Sequence, residues 1–332
     1  MRQSRCIVGS DEGYNTMIVR ESVFRDVLRL FVWFPWRWLI AIMPVRGGIA
    51  LLRVMGDAHN TAARSGKKLL LENLGRMLPA LDAKEANHVV REHFRNHYVD
   101  RLLIFIFPRF GLPEVERLVE IDGLEHLKGA LKSGKGVVLV HGHFGPVHLP
   151  LVVLARLGFR MKQIGLPSDE GLSWIGRNVA FKLRLRYEAK IPAEIIMADG
   201  FLRSAFRWLN DNGIIMITGD GSGTEKRVGR HGLFNFFGQR VAFPLGPAIL
   251  ADKTGAAILP LFIVPGDRKQ YRIVIEQPLT SSGKGEESIK AVTGQFIERL
   301  EYYVSRFPGW MHFLDRFTVG KMIEPEKVER SG

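Results

Sequence analysis

"VVLVHGHFGPVHLP" (residues 137–150) runs four apolar, β-prone residues into a turn-rich stretch that carries His141, His143 and His148. A short, uniformly apolar run of this kind predicts a strand buried on both faces. Pro146 suits the first turn of a following helix and Gly158 its end, so the stretch reads as strand, turn and helix. His143 then sits in the turn and His148 one turn into the helix. Outward from this unit the texture repeats: residues 159–165, 213–220, 256–264 and 271–278 read as further strands, with helical stretches between them. The alternation predicts an α/β fold with a mostly parallel central sheet flanked by helices. The last strand, "YRIVIEQP" (271–278), alternates apolar and polar residues and is expected at the sheet edge. In such sheets ligands bind at the carboxyl ends of the strands. His141 and His143 end one strand and Asp220 ends another, which predicts that they share one rim. The amides of Gly145 to Val147 are expected to face the crevice and to stabilise an oxyanion, making Gly145 and Pro146 substrate-binding candidates.

Composition bounds the rest. With 332 residues the chain has room for one large domain or two smaller ones, and 46% hydrophobic residues supply a substantial core. Lys and Arg exceed Asp and Glu to give a net charge of +13, which favours anionic partners such as lipid headgroups, phosphorylated co-substrates or nucleic acid. The basic excess is diffuse and no aromatic-interleaved basic strand appears, so nucleic-acid binding is not expected. Cys6 is the only cysteine, which excludes an intrachain disulfide and a cysteine-rich zinc site. The first twenty residues mix charges without a compact apolar region, unlike a cleaved signal peptide. Residues 22–45, "SVFRDVLRLFVWFPWRWLIAIMPV", place apolar residues at helical spacing, interrupted by Arg37, Pro35 and Pro44. The apolar run within it, Leu30 to Val45, is shorter than the ~20 residues a span needs and rich in tryptophan, so an amphipathic or shallow membrane anchor over about 22–46 is expected. The alternative is a hydrophobic helix packed on the domain. The expected organisation is an N-terminal segment (1–60), a catalytic domain (61–318) and a polar, frayed tail (319–332).

"LDAKEANHVVREHF" (81–94) opens a helix whose Asp82 and Glu85 form a capping-box pattern; His88, His93 and His97 on it read as solvated or packed rather than as metal ligands. Several blocks then carry a resemblance. "HFGPVH" (143–148) resembles the His-x4-Asp/Glu block of glycerolipid acyltransferases, in the form used by the lipid A biosynthesis late acyltransferase family. "LLENLGRMLPALDAKEANHVVREHF" (70–94), "RLRYEAKIP" (184–192), the run from Gly219 to Val264 and "RFPGWMHFLDRF" (306–317) are similar to further blocks of that family. The likeness implies an acyltransferase at the cytoplasmic face of the inner membrane. It would move a fatty acyl chain from an acyl carrier protein or coenzyme A thioester to a hydroxyl of a membrane glycolipid such as a lipid A precursor, with no other cofactor. It assigns His143 as general base, since an alcohol is a poor nucleophile until a positioned base accepts its proton.

The block's acidic residue is replaced here by His148. Three readings follow: Asp220 supplies the missing charge, His148 suffices by itself, or the protein is a lipid-binding pseudoenzyme. Arg177, Arg184 and Arg186 are candidates for holding a substrate phosphate, or else line a solvated basic face. Lys226 and Arg227 carry the same ambiguity beside the "GDGSG" turn. Phe236 and Phe237 either line an acyl groove or pack in the core. The rival chemistry is metal-dependent hydrolysis with His141, His143, His148 and Asp220 as ligands.

Overall fold

A computed structural model describes residues 22–169, 171–198, 203–221, 227–281, 283 and 285–325. Nine strands form in chain order: β1 (Val119–Asp122), β2 (Val137–His141), β3 (Met161–Gly165), β4 (Glu194–Met197), β5 (Ile214–Thr218), β6 (His231–Phe236), β7 (Gln239–Pro244), β8 (Ala257–Pro265) and β9 (Tyr271–Ile275). Seven make one sheet in the order β1-β9-β8-β2-β5-β3-β4. The five strands from β8 to β4 run parallel, β9 is antiparallel to β8, and β1 runs parallel to β9. The mostly parallel sheet predicted from the apolar runs is therefore present. Every residue of β2 is buried, as a central strand covered on both faces requires.

Two sequence readings of the sheet are corrected. β9 is not the edge, because β1 pairs outside it. Its alternating burial reports one less-covered face, whereas an edge is defined by unpaired main chain, which leaves no side-chain signature. The short edge strand β4, with largely uncovered side chains, was not expected at all.

The hairpin of β6 and β7 turns through Phe237 and Gly238, both with left-handed φ (50° and 73°), the geometry of a two-residue type I′ turn. Phe236 is fully buried against Phe237, Phe243 and Phe317, so it belongs to the core and not to an acyl groove. Phe237 is half-buried at the turn.

The N-terminal region is broken where its prolines stand. Val23–Phe31 is a helix with no buried residue, a wide turn follows at Val32–Trp36 around Pro35, and Arg37–Ile42 resumes. No helix among the described residues is long and apolar enough to cross a membrane. Val45–Ala62 runs through the boundary expected at residue 60, and its Ile49 and Leu52 join Phe94 of the helix Ala83–Leu102 in the common core. The capping box at Asp82 and Glu85 forms as the sequence predicts. The tail does not fray at 319: Ile323 is buried and bridges to Val241 on β7, and the Glu324 N–H donates to the Arg240 carbonyl at 2.8 Å.

Candidate active site

The parallel register sets the site. His141 on β2 stands level with Thr218 on β5, so His143 and Asp220, each two residues further on, leave the sheet side by side. β2 is flanked by β5 and β8, where chain connections depart in opposite directions, the position at which open α/β sheets form a crevice. Gly142 permits the approach: a Cβ there would lie 2.8 Å from Leu300 Cδ1 and 3.2 Å from Asp220 Oδ2. Asp220 uses both carboxylate oxygens on one residue. The His143 ring Nδ1–H donates to Oδ1 at 2.8 Å and the His143 backbone N–H donates to Oδ2 at 2.6 Å. With Nδ1 engaged this way, Nε2 carries the free lone pair. Phe313 lies against the other side of the imidazole, with ring centroids 4.4 Å apart.

The pair is recessed but open. The His143 side chain keeps 22% of its exposure and Asp220 5%. Burial by itself would lower the His143 pKa. The charge of Asp220 and the hydrogen bond to it, with Asp100 adding in the same sense and Arg316 opposing, raise it above the ordinary imidazole value. His141, one strand pair inside, shows the contrast: it is buried, its Nδ1 meets the Gly142 carbonyl at 3.0 Å, and burial pushes its pKa down to about 4.

His148 stands differently from the sequence reading. The following helix begins at Leu149, with Pro150 in its first turn, so Pro146 lies before the helix and His148 is its N-terminal flanking residue. Among the described residues the His148 ring has no hydrogen-bond partner, and the His143 Nδ1 is already taken by Asp220. Burial lowers the His148 pKa, Glu188 and Asp100 oppose that, and Arg184 reinforces it.

The oxyanion expectation for the Gly145–Val147 amides is overturned. Gly145 N–H donates to the Trp310 carbonyl at 2.8 Å, Pro146 has no N–H, and Val147 N–H donates to Asp100 Oδ1 at 2.9 Å. Both Gly145 and Pro146 are buried and have no amide to offer a substrate. Gly145 is required for another reason: its φ is +63°, and a Cβ would sit 2.5 Å from Trp310.

The basic candidates separate. Arg177 pairs with Asp169 at 3.1 Å, and Arg184 pairs through Nε with the buried Glu188 at 2.7 Å. Arg186 is exposed with no partner among the described residues. Arg227 pairs with Glu324, and Lys226 lies outside the described residues. Arg184 is near enough to the histidine cluster for its charge to lower the His148 pKa. Among the described residues no three His, Cys, Asp or Glu side chains converge as metal ligands. Sequence reasoning missed Asp100, His312 and Phe313. For Asp100 a signal existed, because it continues the stripe of His93 and Asn96 at i, i+3 and i+7 on one helix face.

Residues 22–318 match the family model of the bacterial lipid A biosynthesis acyltransferases. Among characterised proteins, the chain is 25% identical over 282 residues to a phosphatidylinositol mannoside acyltransferase of Mycolicibacterium smegmatis, covering 83% of this chain and 87% of the relative. It is 23% identical over 287 residues to the phosphatidylinositol mannoside acyltransferase of Mycobacterium tuberculosis, covering 82% and 85%.

Proposed function

The chain belongs to the bacterial lipid A biosynthesis acyltransferase family and is an O-acyltransferase, and we propose that His143, oriented by Asp220, is its general base. The acceptor is a hydroxyl of a membrane glycolipid; the donor is a fatty acyl thioester of acyl carrier protein or coenzyme A. His143 Nε2 takes the hydroxyl proton as the oxygen attacks the thioester carbonyl. The tetrahedral intermediate collapses with cleavage of the C–S bond, and the imidazolium returns the proton to the leaving thiolate. The products are the ester and a free thiol, so atoms and protons balance without a metal or redox partner. The observation that carries this reading is the 2.8 Å contact between His143 Nδ1 and Asp220 Oδ1. It fixes the tautomer and places a charge where the imidazolium forms, which is what an orienting carboxylate does. Asp220 thereby restores what the exchange of an acid for His148 removes.

The likeness to phosphatidylinositol mannoside acyltransferases favours a phosphatidylinositol mannoside-type acceptor over a lipid A precursor. Arg184 is the candidate for a phosphate-bearing part of either substrate, sharing its charge with Glu188. The reaction takes place at the cytoplasmic face of the inner membrane, with the Val23–Phe31 helix lying in the interface. Val23, Phe24, Val27, Leu28 and Phe31 there are 45–82% exposed, and Trp174 beside them 74%. Such a surface is costly in water and suits the headgroup boundary.

The test is lipid profiling of a strain deleted for the gene and complemented with wild type or His143→Ala. Wild type restores an acylated glycolipid and the variant does not. Equal restoration by the variant removes His143 as the base.

A further inference from the structure

The turn that presents His143 is held by residues remote from it in sequence. Residues 143–147 carry no internal helix or ladder, since the helix begins only at Leu149. Their main chain is bonded instead to the segment after the last long helix. His312 N–H donates to the His143 carbonyl at 2.9 Å, and Gly145 N–H donates to the Trp310 carbonyl. The His312 ring Nε2–H donates to the Gly145 carbonyl at 2.6 Å. Val147 N–H goes to Asp100 Oδ1, whose Oδ2 lies 3.9 Å from His312 Nε2. Asp100 stands on the helix Ala83–Leu102. Two more side chains on one face of that helix hold the same late segment. The His93 Nδ1–H donates to the Met311 carbonyl at 2.9 Å and the Asn96 amide to the Gly309 carbonyl at 3.0 Å.

We propose that Asp100 and His312 are positioning residues for acyl transfer: they clamp the turn so that His143 stays seated on Asp220, and Asp100 brings a second negative charge to the histidine cluster. This rests on the reading of His143 as the base. The charge is the less obvious half of the role. Burial would raise the Asp100 carboxyl, but His312, His148 and the Val147 N–H outweigh it and hold the group below the usual carboxylate range. Asp100 is therefore ionised at neutral pH. The groups facing His143 are Asp220, Asp100 and Arg316, with His141 and His148 beyond. Those facing Asp100 are His312, His148 and Arg101. His148 occupies the place of the motif acid but brings no negative charge; Asp100 delivers one to the same cluster from a helix far earlier in the chain.

Asp100→Asn separates clamp from charge, because an amide still accepts from Val147 N–H. The assay follows thiol release from palmitoyl-coenzyme A with phosphatidylinositol mannoside in detergent. Losing the charge makes His143 less basic, so the acid limb of kcat/KM moves down by about 0.3 pH unit or more. The plateau kcat falls about tenfold, with KM for the thioester unchanged. A wild-type profile, or a lower kcat with an unmoved limb, overturns the charge role. His312→Gln retains a donor for the Gly145 carbonyl and is expected to keep most activity, while His312→Ala loses about tenfold. Equal activity of these two variants overturns the clamp, and they decide it even where Asp100→Asn does not accumulate. Activity retained by His143→Ala, measured alongside, overturns the base assignment instead, so the two failures are distinguishable.

Discussion

Asp220→Asn is the sharpest perturbation of the proposed dyad. The carboxylate accepts two hydrogen bonds from one residue, 2.8 Å from the ring Nδ1 and 2.6 Å from the backbone N–H. An amide has a single accepting atom. With its oxygen toward the backbone N–H, its NH2 faces the ring and forces Nδ1 to accept, which moves the ring proton to Nε2 and blocks the base. With its oxygen toward the ring, two donors meet at the backbone. Rotation about the side chain escapes neither conflict, because the Asp220 side chain keeps only 5% of its exposure. In serine-hydrolase triads the same exchange costs about 10⁴ in kcat, equivalent to about 5 kcal/mol of barrier. A fall of about 10³ to 10⁴ is therefore expected in glycolipid acylation, with thioester binding preserved. The ¹⁵N spectrum of the histidine rings reads the cause directly: His143 changes from the Nδ1–H to the Nε2–H tautomer. A variant that keeps about a tenth or more of the wild-type kcat refutes the tautomer argument.

Three further outcomes follow from other parts of the molecule. His93 and His141 are buried neutral, with pKa values pushed down to about 3 and about 4. Below about pH 6.5 the unfolded chain takes up protons that the folded chain refuses, so stability is lost as pH falls from there toward those values, by up to about 1.4 kcal/mol per pH unit for each group. Urea midpoints between pH 7 and pH 5 should drop for wild type and less for His93→Gln; a flat wild-type curve contradicts this. Gly145→Ala forces a left-handed φ of +63° on alanine and drives a Cβ to 2.5 Å from Trp310, and about 2–4 kcal/mol of lost stability is expected in the same titration; an unchanged midpoint contradicts the geometry. Replacing the exposed Phe24 and Leu28 by Asp removes apolar contacts worth about 1.5–3 kcal/mol each, so sedimentation with phosphatidylglycerol vesicles should weaken more than tenfold. Thioester turnover in detergent should stay as in wild type, and unchanged vesicle binding would remove this helix as the docking surface.

What the sequence discloses and what it withholds divide along physical lines. β2, β5 and β8 were legible because a strand covered on both faces must be apolar throughout, and that requirement is local. The meeting of His143 and Asp220 was legible one step further on, because parallel strands in one sheet bring their carboxyl ends to a common rim. The destinations of the Gly145 and Val147 amides were not. They go to Trp310 and Asp100, partners far away in the chain on either side of the turn, and no local periodicity encodes that. The helix start was misplaced because two prolines compete for it, and Pro150, not Pro146, occupies the first turn. Phe236 shows the same limit: an aromatic beside a glycine reads alike in a groove and in a core, and only the packing of Phe243 and Phe317 decides.

The central claim is that one imidazole, raised in basicity by Asp220, must be neutral for transfer to occur. Titrating the His143 ring by NMR and measuring kcat/KM against pH on the same preparation tests it most directly. One shared ionisation is expected, above the ordinary imidazole value of about 6.5, with activity rising as the ring loses its proton. Activity that stays level while His143 passes from charged to neutral would contradict it.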